Sequence, residues 1–142
     1  MGSQLMRVVL DTNILLSALI SPSGPPDAIY RAWRSGVFDL VTSEHQLEEL
    51  RRASRYPKLR ARLKPRDVGT LINYLRQTLV LERLETAIEA ADPNDSFLLA
   101  MAVESDADYL VTGDRRAGLL ERRHIKRTRI VTPIVFQAEV LK

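Results

Sequence analysis

The chain has 142 residues, 45% hydrophobic and 27% charged, with a formal net charge of +3 and no cysteine. That length closes a hydrophobic core without cross-links, and the composition is that of a globular protein. Disulfides, thiolate metal sites and cysteine nucleophiles are excluded, and with only His45 and His124 any metal would be a hard cation held by oxygen.

Residues 1–5, MGSQL, read as a tag remnant or flexible tail, and one domain is expected over 6–142. Residues 6–10, with Val8, Val9 and Leu10 apolar in a row, read as the first strand, which stops abruptly at Asp11-Thr12-Asn13. Helical patterns follow over 14–20 and 27–34, the second opened by Gly24-Pro25-Pro26 and ended by Gly36. Residues 38–41 are the second strand. Ser43 then N-caps a helix reaching residue 52, with acid in its first turn. Pro57 and Pro65 break the next stretch into short pieces.

Val68, Leu71, Ile72, Leu75 and Leu79 recur at helical spacing before a third strand at 79–81. Residues 97–103 are apolar nearly all round and predict a buried helix. Strands at 109–111 and 129–131 complete the set. The strands lack a polar alternate face, as expected of a parallel sheet covered on both sides. The fold class is therefore α/β, a three-layer α/β/α domain with a parallel five-stranded sheet. No apolar run approaches the roughly 20 residues of a bilayer span and no signal peptide opens the chain, which predicts a cytoplasmic protein.

Positive charge is unevenly distributed. Residues 51–66 carry eight Lys or Arg and no acid, and residues 115–129 carry seven against Glu121 alone. Such blocks suit a polyanion, whose counterions they release, or else a solvated helix face.

The acids fall where ligands of open α/β sheets bind, at the carboxyl ends of the strands. Asp11 ends the first strand, and Asp114 follows the fourth in DYLVTGD. Asp92 and Asp95 precede the buried helix, whose amino end lies at the same edge, and Glu49 lies in the helix after the second strand. Singly, each reads as a cap, a turn or surface. Gathered, they repel one another and call for a divalent cation. Asn13, Ser43 and Thr112 are placed to hydrogen-bond a carboxylate and orient it, and Gly113 to let the backbone turn tightly.

VVLDTNILLSAL, VTSEHQLEEL, ADPNDSFLLAMA and ADYLVTGD closely resemble, in order, the motifs of the PIN-domain ribonucleases, and most of all the VapC-like toxins of toxin–antitoxin pairs. The resemblance runs from Met6 through essentially the whole chain. It implies strand order 3-2-1-4-5 and puts Asp11, Glu49, Asp95 and Asp114 on the catalytic, metal-binding positions. Glu49 is chosen over Glu48 because the family pattern sets the acid directly before a leucine. Asp95 is chosen over Asp92, which becomes accessory or a cap, because it stands seven residues before Ala102.

The implied activity is hydrolysis of RNA phosphodiester bonds with one or two Mg²⁺ or Mn²⁺ ions, leaving a 5′-phosphate and a 3′-hydroxyl. Single strands or loops are the expected substrate. Arg51, Arg52, Arg115 and Arg116 would guide the strand, with Tyr30, Trp33 and Tyr56 as candidate stacking residues. Expected partners are RNA, a small antitoxin protein and a second copy of the chain, for which the apolar helix surface near residues 15–33 could serve; no membrane is expected. The alternative is a catalytically silent PIN-like module that binds RNA or protein. A phosphotransferase of the haloacid dehalogenase kind would need an aspartate where Asn13 stands.

Overall fold

Asp11, Ser43 and Thr132 each stand where an extended segment gives way to a helix, and each side chain accepts a backbone N–H of the first turn. Such caps satisfy donors that a helix start otherwise leaves open. In the computed structural model, which describes residues 5–90, 92–113 and 118–141, these switches produce an alternation of strands and helices. In order they are β1 (Arg7–Leu10), α1 (Thr12–Ile20), α2 (Pro25–Arg34), β2 (Asp39–Ser43), α3 (Glu44–Ser54), α4 (Pro57–Arg60), α5 (Pro65–Leu75) and β3 (Leu79–Leu81). A 3₁₀ turn (Pro93–Asp95) then leads into α6 (Ser96–Glu104), followed by β4 (Tyr109–Val111), α7 (Leu119–Arg122), β5 (His124–Ile125), β6 (Thr128–Val131) and α8 (Pro133–Val140).

The sheet order is β3-β2-β1-β4-β6-β5. All pairs are parallel except β5 with β6. The five expected strands thus take the expected order, but among the described residues the sheet has six. The added strand β5 folds back on β6 in a short hairpin, where Lys126 adopts a positive φ of 52°.

Alternate strand residues point to opposite faces, and each face has its own core. Val8, Leu10 and Leu40 pack with Leu15, Ile29, Leu50, Leu71 and Phe136 from α1, α2, α3, α5 and α8. Val9, Val41, Leu110 and Ile130 pack beneath α6 and Leu119 of α7. In α6 every residue from Phe97 to Ala102 is buried, as its all-round apolarity requires. Trp33 belongs to the first core, edge-on to Tyr30 with ring centroids 5.5 Å apart, so it is withdrawn from base stacking. Leu15, Leu16 and Ile29, part of the apolar stretch expected to serve a second copy, are likewise turned inward.

Helix α8 has no counterpart among the sequence expectations. Phe136 anchors it, fully buried and edge-on to both Phe38 and Tyr109. The Tyr109 hydroxyl donates to Glu139 at 3.0 Å. Burial, and then that bond, raise the phenol pKa above its ordinary value. Phe136→Ala should lower unfolding stability by about 3–5 kcal/mol, read as a fall in the urea midpoint with an unchanged slope.

Candidate active site

β1 lies inside the sheet, and Asp11 extends its ladder by one bond, its N–H donating to the Val111 carbonyl at 2.9 Å. Only 7% exposed, its carboxylate is held from two sides. Oδ1 accepts the Asn13 N–H at 3.3 Å, and Oδ2 accepts the Thr112 hydroxyl at 2.8 Å. The amino end of α1 also favours negative charge there. Capping and presentation at the sheet edge are thus one geometry. Asn13 contributes through its backbone, and its side chain is exposed.

Ser43 is fully buried but does not hold a carboxylate. Its oxygen accepts the Gln46 N–H at 3.0 Å, and its hydroxyl donates to the Met101 sulfur at 3.3 Å. Gly113 keeps an ordinary φ, and a Cβ there would meet Ile14 at 3.9 Å. A left-handed turn at that glycine is therefore not what shapes the edge.

Gln46, which the sequence reading passed over, ties α3 to the strand ends. Its Nε2 donates to the Leu10 carbonyl at 2.7 Å and, at a longer 3.5 Å, to the Thr12 hydroxyl; its Oε1 accepts the Thr42 hydroxyl at 2.7 Å. The side chain is 1% exposed. Its place one turn before Leu50 and two before Ala53, on the buried face of α3, was the available signal.

Glu49 follows Gln46 by three residues, on a neighbouring strip of the helix, and is half-buried. Glu48 is exposed and paired with Arg51 at 3.2 Å. Glu49 lines an open groove of about 1080 Å³ shared with His45, Arg52, Asn94, Ser96 and Arg122. The His45 ring, also unforeseen, lies against Phe97 with centroids 4.4 Å apart.

Asp95 ends the 3₁₀ turn and heads α6, half-buried, with its N–H on the Asp92 carbonyl at 2.9 Å. Asp92 is a cap, its Oδ1 accepting the Asn94 N–H at 2.9 Å. At the other end of α6, the Ser105 carbonyl accepts from Arg7, the first residue of β1, at 2.9 Å. The helix thus runs against the strands, with Asp95 towards their carboxyl edge. Asp114, Arg115 and Arg116 lie outside the described residues.

Among the described residues, no three Asp, Glu or His side chains gather as a metal cluster. Asp11 and Asp95 lie towards the carboxyl edge, and Glu49 lines the groove that Asn94 and Ser96, on either side of Asp95, also line; carboxylate oxygens suit a hard cation such as Mg²⁺ or Mn²⁺.

Residues 7–116 match the PIN domain family. The chain belongs to that family. Among curated proteins, none matches the chain. PIN domains are generally nucleases, and the matched span contains Asp11, Glu49, Asp95 and Asp114. Among the described residues, no helix of this PIN domain is long and apolar enough to cross a membrane.

Gln46→Ala should lower stability by about 1–3 kcal/mol, since the Leu10 carbonyl and Thr42 hydroxyl lose a buried partner. Chemical denaturation checks this, and an unchanged midpoint would refute the bracing role.

Proposed function

We propose that this PIN domain is a metal-dependent endoribonuclease acting on single-stranded or looped RNA, a VapC-like toxin restrained by a small antitoxin in the cytoplasm. The observation that carries the reading is the carboxylate of Asp11, fixed at the carboxyl end of a central strand by Thr112 and by the start of α1. The four ordered sequence motifs support the toxin assignment.

Asp11, Asp95, Asp114 and Glu49 would hold one or two Mg²⁺ or Mn²⁺ ions. When bound, the cation supplies charge that polarises the phosphate and acidifies the attacking water. Thr112 and the Asn13 N–H keep the Asp11 carboxylate in one orientation, so little reorganisation is needed on loading. Water oxygen forms the new bond to phosphorus in line with the departing 3′-oxygen, which takes a proton and leaves as the 3′-hydroxyl; the phosphate stays on the 5′ side.

Cleavage of a mixed-sequence single-stranded RNA, with Mn²⁺, with Mg²⁺ and with EDTA, tests this. We expect metal-dependent cutting, abolished in Asp11→Asn and Asp95→Asn with the fold intact by circular dichroism. Thr112→Val should retain the fold and cut roughly 10- to 100-fold more slowly, as loss of an orienting partner does. No cutting by the parent on any RNA offered, under any metal, would favour the silent binding module instead.

A further inference from the structure

α3 divides two grooves. Glu49 and Arg52 face the groove described above, whereas Arg51 and Arg55 face a second one of about 520 Å³, enclosed by α3, α4 and α5. Arg51, Arg55 and Arg60 stand around it; Leu63, Val68 and Ile72 form its apolar wall, and among the described residues no acid lines it. Arg51 is paired with Glu48 in an exposed contact at 3.2 Å, of the kind that contributes little. Among the described residues, Arg55 and Arg60 form no ion pair.

Gly69 adds a second, independent observation. It sits mid-helix in α5 and lines the groove, and a Cβ there would meet nothing within 4 Å. Alanine would fit and favour the helix by about 0.5–1 kcal/mol. Glycine leaves bare backbone facing the cavity, where a ligand can approach closely.

We propose that this groove is a nucleotide subsite for single-stranded RNA, with a phosphate at Arg55 and Arg60 and a base against Leu63, Val68 and Ile72. Guanidinium forks match phosphate oxygens, and an unstacked base offers the apolar face that the wall lacks. The assignment to RNA rests on the nuclease reading above. An RNA strand crossing α3 at exposed Arg52 would join this subsite to the groove of Glu49, so the subsite would select a nucleotide away from the scissile bond.

Binding of a fluorescein-labelled, mixed-sequence single-stranded RNA, measured in EDTA across a salt series, separates this proposal from catalysis. The parent is compared with Arg55→Ala/Arg60→Ala and with Gly69→Glu, each checked by circular dichroism. Each phosphate contact on a single strand contributes about 0.7 to the salt slope. The double variant, which loses that one phosphate contact, should therefore flatten it by about 0.7 and bind roughly fivefold more weakly at 0.1 M salt. Gly69→Glu, which places a carboxylate in the cavity without removing an arginine, should weaken binding likewise.

Unchanged affinity and slope in both variants would overturn the subsite, whether or not the parent cuts RNA. Unchanged RNA binding with lost binding of polyglutamate would overturn it in favour of an acidic protein partner. Weakened binding in both variants, with a parent that cuts no RNA, would leave the subsite standing and remove the nuclease.

Discussion

One hydrogen bond joins the elements on which the candidate site depends. The Thr112 hydroxyl, just past β4, donates to the carboxylate of Asp11, just past β1, and the other oxygen of that carboxylate starts α1. A buried carboxylate is costly unless its oxygens are satisfied, so the sheet edge is built around this one. Gln46 extends the same construction to α3 by bonding the Leu10 carbonyl and the Thr42 hydroxyl. The ends of β1, β2 and β4 and the start of α3 are thereby braced through polar contacts shielded from water, where hydrogen bonds are strong and vacancies expensive.

Much of this architecture was legible because the physical signals were local. Short segments rich in apolar residues, each followed by a capping side chain, marked β1 and β2, and the uninterrupted apolarity of α6 marked it as buried on every side. In Asp11 one oxygen caps α1 and the other accepts from Thr112, so the capping role leaves the carboxylate at the sheet edge. Ser43 shows the converse: its capping role was readable from neighbouring residues, but its hydroxyl proton goes to Met101, 58 positions away, a partner that only the packing of α6 supplies.

What sequence could not reveal has equally specific causes. β5 is two residues long, too short for periodicity to register, and depends on a turn through Lys126 at positive φ, a conformation that glycine or asparagine would have advertised. In α8 the exposed Ile134 and Val135 blur the contrast between its faces, so the burial of Phe136 does not stand out. Gln46 was hidden by its type, because a glutamine in a helix that also carries Glu44, Glu48 and Glu49 reads as solvent-facing until its helical face is traced.

The opposite edge of the sheet is organised differently. There Arg7 bonds the Ser105 carbonyl and, through its backbone, Asp108, whose other oxygen receives Arg127, and the Thr128 hydroxyl donates to the Ala107 carbonyl. That pole uses its polar groups on one another, clasping the foot of β1 to the turn after α6. The sheet therefore has a keel at this end, and the candidate site lies on the deck opposite. Variation in the keel would be filtered through the abundance of folded protein, and variation on the deck through what the folded protein does, so one sheet exposes its two ends to different kinds of selection.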